Sequence, residues 1–145
     1  MGKLITIQNN RRVELIDVPE GKVGLKTLQE QVGGYIETVD LGLPFKECAA
    51  FCNEEGKLLG MEPTVIILDE SLAPIETYNG PIVIAYVEPE TDELLPFSDE
   101  SAEWVKEILL FNYRWHDVWI NESPDEVKKN TCIILQVQET RIVPF

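Results

Sequence analysis

Residues Ile82-Val83-Ile84-Ala85-Tyr86-Val87 are the run that most constrains the fold. Every position is apolar or aromatic, and the β-branched side chains suit a pleated surface. No polar residue marks a solvent side, so the run reads as a central strand. Asn79-Gly80-Pro81 ahead of it is turn material.

Other runs supply partners. Lys3-Leu4-Ile5-Thr6-Ile7-Gln8 alternates apolar with polar, as does the run through Val13, Leu15 and Asp17, with Asn9-Asn10-Arg11 as the turn between them. Leu25, Leu28, Gln29 and Val32 recur at helical spacing, which predicts a helix over 25–32 that stops at Gly33-Gly34, with glycine supplying the left-handed cap. Residues 35–40 read as a strand, with Pro44 closing that region. Cys48-Ala49-Ala50-Phe51-Cys52 reads as a buried strand, Asn53-Glu54-Glu55-Gly56 as a tight turn, and Lys57-Leu58-Leu59 as the start of a return strand. Val65-Ile66-Ile67-Leu68 fits a strand or a helical turn.

The composition shifts from Glu88 onward. Acidic residues crowd the interval to Glu107, and Pro89 and Pro96 lie inside it. Ser98 to about Phe111 predicts an amphipathic helix with Ala102, Val105, Ile108 and Leu109 on its apolar stripe. Ser123-Pro124-Asp125-Glu126 predicts a short helix ending at Asn130, with Ser123 as N-cap and Pro124 at the first helical position. Cys132 to Val137 reads as a last strand, with Ile133, Leu135 and Val137 on one face. The expected fold is α+β, a mixed or mainly antiparallel sheet with about three helices. A boundary near Pro96 divides it into an α+β core (1–95) and a C-terminal helix-strand extension (96–145) packed on that core.

A length of 145 residues, 44% of them hydrophobic, is enough for one domain with a real core. With 26 acids against 12 bases the net charge is −14. Such a chain does not coat nucleic acid or anionic lipid by bulk attraction. No run is long and apolar enough to span a membrane, and the N-terminus lacks a secretory core, so an intracellular, cytoplasmic location is expected. Cys48, Cys52 and Cys132 sit among apolar neighbours and read as buried thiols. His116 is the sole histidine, which argues against a structural zinc site.

Motifs for chemistry are missing. The sequence has no phosphate-cradling glycine loop and no G-x-S-x-G elbow. No carboxylate spacing stands out among so many acids. A protein that is not an enzyme, with no cofactor and no metal, is expected. Three features offer binding groups. Gly33-Gly34-Tyr35 is either a helix cap with an aromatic neighbour or a bare backbone corner with Tyr35 as its wall. Asn53 and Lys57 flank a turn and offer an amide and an ammonium. Tyr113, Arg114 and Trp115 lie in Phe111-Asn112-Tyr113-Arg114-Trp115-His116-Asp117-Val118-Trp119. On a strand, Phe111, Tyr113, Trp115 and Trp119 share one face. That face either packs on the sheet or serves recognition, since Trp, Tyr and Arg dominate interfaces and stack on bases.

Three stretches carry a resemblance: Leu28 to Glu37, Cys52-Asn53-Glu54-Glu55-Gly56-Lys57-Leu58-Leu59-Gly60, and Gly80-Pro81-Ile82-Val83-Ile84. In order and spacing they resemble the domain-of-unknown-function family DUF3846, over roughly residues 3–95. The family pattern has an Asn a few residues after Gly60, where this chain has Thr64, and the tail from about Phe97 exceeds the usual length. The resemblance implies a phage, plasmid or other mobile-element origin and a bacterial host cell. With the glycine corner and the aromatic–Arg segment, it points to a counter-defence protein that sequesters a small nucleotide-derived signal. The alternative is an acidic, partly DNA-mimicking inhibitor of a host defence or nucleic-acid-binding protein, suggested by the acids between Glu88 and Glu107. The expected partners are a small nucleotide-like ligand or a host protein, without direct nucleic-acid or membrane contact. The apolar, aromatic tail suits a homo-oligomer.

Overall fold

The structure, a computed structural model, describes residues 1–42, 47–138 and 141–144, and within these the backbone alone of residues 121–123. Its elements in chain order are β1 (Gly2–Gln8), β2 (Arg12–Val18), α1 (Leu25–Val32), β3 (Ile36–Val39), β4 (Cys48–Asn53), β5 (Pro63–Leu68), β6 (Pro74–Asn79), β7 (Ile82–Val87), β8 (Leu94–Leu95), α2 (Asp99–Phe111), β9 (Trp115–Ser123), β10 (Glu126–Gln138) and β11 (Arg141–Pro144).

The first sheet has the order β2-β1-β7-β4-β3, with the short β8 beside β7. All its pairs are antiparallel. The apolar run is its centre, as its composition requires. Ile82, Val83, Ile84 and Ala85 are all fully buried. They alternate between two cores. Ile82 and Ile84 face a large cluster with Ile5, Ile7, α2 and the second sheet, while Val83 and Ala85 face a smaller cluster with Leu28 and Val32 of α1. The sheet is covered on both faces, so β7 has no polar side.

The second sheet has the order β11-β10-β5-β6, with β9 on β10. The parallel pair of β10 with β5 makes it mixed. Val65-Ile66-Ile67-Leu68, open between strand and helical turn in the sequence, is therefore strand, between β10 and β6. This pairing crosses the expected boundary at Pro96. Ile133 and Leu135, both fully buried, complete the main core beside Val65 and Ile67.

Two of the three expected helices form. α1 ends at Gly33, whose φ of 81° is left-handed and whose N–H donates to the Gln29 carbonyl at 2.8 Å. Ser98 caps α2, its side chain accepting from the Ser101 N–H at 3.2 Å. Ala102, Val105 and Leu109 face the core.

Three expectations are corrected. The helix predicted after Ser123 is a hairpin, β9 to β10, leaving two helices among the described residues. Pro-Asp suits the middle of a tight turn as well as a helix start, and a helix that short gains little without an apolar stripe. The return strand at Lys57-Leu58-Leu59 is instead part of a turn over residues 54–60. Both edges of β4 are already taken, by β3 and by β7, so no edge remains for it. Finally, Phe111 and Tyr113 do not share a face: Phe111 ends α2 at 77% exposed, whereas Tyr113 is 4% exposed. Pro44, expected to close the region of β3, lies outside the described residues.

Candidate functional site

The three motif stretches, far apart in the chain, meet at one end of both sheets. The meeting point is Asn53, the last residue of β4 and itself buried. Its Nδ2 donates to the Val32 carbonyl at the end of α1, at 3.1 Å, and its Oδ1 accepts from the Glu55 N–H at 2.8 Å. The Tyr35 carbonyl accepts from the Glu54 N–H at 2.9 Å. A Cβ on Gly34 would come within 2.9 Å of the Asn53 amide, so the glycine lets the two motifs close on each other.

The third motif joins through the turn. A Cβ on Gly56 would meet the Asn79 carbonyl oxygen at 2.3 Å, too close for any side chain. Asn79 Nδ2 donates to the Met61 carbonyl at 2.8 Å, and the Gly80 N–H donates to the Glu62 carbonyl at 2.8 Å. Thr64 is buried and donates its hydroxyl to the Gly80 carbonyl at 2.6 Å. This polar side chain ties β5 to the turn before β7.

Between these turns and β6 lies a polar cleft of about 220 Å³, lined chiefly by Glu37, Asn53, Lys57, Glu76, Tyr78 and Asn79. Lys57 Nζ donates to Glu76 Oε1 at 2.7 Å, and this bond holds the Glu76 carboxyl below its ordinary range. Burial, then the nearby Glu76 charge, pushes the Tyr78 phenol up. Asn79 Oδ1 is buried without a partner. The cleft thus offers amides, a phenol, carboxylates and one ammonium. A second cleft of about 320 Å³ lies nearby, with Asn9, Arg12, Met61, Glu62 and Thr64 in its walls. Glu62 accepts there from Asn9 Nδ2 at 2.7 Å and pairs with Lys128.

Gly33, Gly34, Tyr35, Asn53 and Lys57 are therefore brought to one place. Their parts differ: Asn53 is structural glue, while Tyr35 is 68% exposed beside it. Tyr113, Arg114 and Trp115 are not part of this end. The Tyr113 hydroxyl donates to the Leu41 carbonyl at 2.7 Å within the core, and Trp115 Nε1 donates to the Leu109 carbonyl at 3.1 Å. Arg114 is exposed. Sequence reasoning missed Glu37, Glu76, Tyr78 and Asn79 as lining groups. No local alternation marks β6, whose residues are all exposed or half-buried, so Glu76 and Tyr78 reach the cleft through pairing with β5.

The thiols are poorly suited to nucleophilic work. Burial pushes Cys48 and Cys52 up to about 12 and Cys132 up to about 11, away from the reactive thiolate. Among the described residues no cluster of His, Cys, Asp or Glu has the arrangement to hold a metal ion, and no helix is long and apolar enough to cross a membrane.

No curated protein and no solved structure matches the chain. A family model does: the domain of unknown function DUF3846 matches residues 2–110. The match runs from β1 through α2 and contains all three motifs that meet at Asn53. The chain belongs to the DUF3846 family.

Proposed function

We propose that the protein is a non-enzymatic binding protein that holds a small polar ligand at the end where the three motifs meet. The observation that supports this reading is their convergence. Glycines at positions 34 and 56 let the turns close on Asn53 and Asn79, the two amides fix those turns, and a polar cleft of about 220 Å³ opens between them. That volume lies below the ~300–1,000 Å³ of ordinary small-molecule sites. It suits one moiety of a ligand rather than a whole dinucleotide.

The chemistry of the walls narrows the class. Carboxylates and amide oxygens accept from hydroxyls and exocyclic amines, which a nucleoside carries. Phosphates are repelled by Glu37 and Glu76 and favour the solvent side near Lys57. Exposed Tyr35 offers a ring for stacking beside the corner. In the mobile-element setting that the family resemblance implies, such a protein works in counter-defence, in the host cytoplasm, by sequestering a nucleotide-derived signal.

The test is mass spectrometry of small molecules released by denaturing protein purified from a bacterial host with active nucleotide-signalling defences. A near-stoichiometric nucleoside-containing compound is expected, retained by the wild type and lost from Tyr35→Ala and Glu76→Gln variants. A compound kept equally by both variants would place binding elsewhere. Absence of binding across a panel of linear and cyclic nucleotides added back to the stripped protein would refute the reading.

A further inference from the structure

We propose that the outer face of α2, with the apolar cleft beside Trp104, is a docking surface for a basic protein segment that inserts one apolar side chain. It lies at the opposite end of the central strands from the three-motif cleft. Cys48 opens β4 and Tyr86 is near the end of β7, whereas Asn53 and Ile82 mark the other end.

α2 presents two unlike faces. Ala102, Val105 and Leu109 are buried. Glu100, Trp104, Glu107 and Phe111 recur at helical spacing on the outside. Trp104 is 56% and Phe111 77% exposed. An exposed tryptophan at the mouth of a cleft is the side-chain type most enriched at interface hot spots. The cleft measures about 210 Å³, and Cys48, Tyr86, Phe97 and Val105 give it mostly apolar walls. It is smaller than an ordinary small-molecule site and matches a single anchoring side chain.

Charge selects the occupant. Glu100 and Glu107 share the Trp104 face of α2 and Glu47 stands at the cleft, while Asp99 and Glu103 lie on the other flank of the helix beside Lys3 and Lys106. The whole chain carries −14. A second copy would bring two acidic faces together, and nucleic acid would be repelled. A segment rich in Lys and Arg around an apolar anchor gains from both the cleft and the field around it.

Fluorescence anisotropy with labelled model peptides tests this. The probe is an amphipathic Lys–Leu helix, and the controls replace Leu by Ala or Lys by Glu. The Lys–Leu peptide is expected to bind, with affinity falling as salt rises. Trp104→Ala should weaken it at least about tenfold. The double variant Glu100→Gln, Glu107→Gln should flatten the salt dependence. These side chains are exposed, so both variants should keep the wild-type circular dichroism, and Tyr35→Ala serves as a control with unchanged peptide affinity. Equal binding of the Lys–Ala peptide, or a Trp104→Ala protein that binds as the wild type, would overturn the proposal. So would sedimentation showing dimers that Trp104→Ala dissociates, since the occupant would then be a second copy.

Discussion

Asn53 and Tyr35 stand side by side in the motifs, yet their environments give them different duties. Asn53 is buried and spends both ends of its amide on backbone groups of α1 and the following turn. Replacing it with Ala strands the Glu55 N–H and the Val32 carbonyl. Asn53→Ala should therefore cost about 1–3 kcal/mol of stability, read by urea unfolding. Tyr35 is largely exposed. Tyr35→Ala should leave stability within about 0.5 kcal/mol of wild type while reducing ligand retention. If both variants lost stability equally, Tyr35 would be a packing residue and the corner would have no wall to offer. Side-chain type and spacing brought both residues to notice, but burial separates them, and burial depends on contacts between distant parts of the chain.

Elements were legible where local chemistry decides them. Gly33 after a short amphipathic run, Ser98 before an acidic first turn, and the unbroken apolar run of β7 each signal their structure within a few residues. The misread elements depend on distant partners. Lys57-Leu58-Leu59 has strand-like residues, but β4 had no edge left to give it. Ser123-Pro124-Asp125-Glu126 suits a helix start and a tight turn equally, and the long β10 ladder settles the choice. The cleft was half legible for the same reason: its turns are written in glycine and asparagine, whereas β6, which adds Glu76 and Tyr78, needed β5 to define it. The Glu62–Lys128 pair linking the start of β5 to β10 has a pH consequence. Lys128, then Asn9, holds the Glu62 carboxyl below its ordinary 4.5. The folded chain thus binds this proton less readily than the unfolded one. The stability it adds is full above pH 4.5 and fades as pH falls through the lowered folded value. Glu62→Gln should flatten the stability profile below that pH and leave its shape near neutrality unchanged, as checked by urea unfolding from about pH 3 to about pH 7.

For the molecule as a whole, the family match ends at residue 110, but the main core does not. Ile133 and Leu135 arrive from β10 and are fully buried against β5, each worth roughly 1.5–3 kcal/mol by burial. A chain cut after α2 should expose that side of β5, bind a hydrophobic dye and lose cooperative unfolding. A cooperative transition in the truncated chain would show that β5 and β6 are covered in another way. The two ends of the central strands then divide the surface. One gathers the motif turns around a polar cleft, and the other carries α2 with its acids and Trp104. Amide hydrogen exchange on the protein with and without the small molecule released from it reads the binding end directly. Added protection should fall on Gly33 to Ile36, the turn from Glu54 to Gly60, and Tyr78 to Ile82. Protection confined to α2 or the β9–β10 hairpin, with none at these turns, would contradict a ligand site where the three motifs meet.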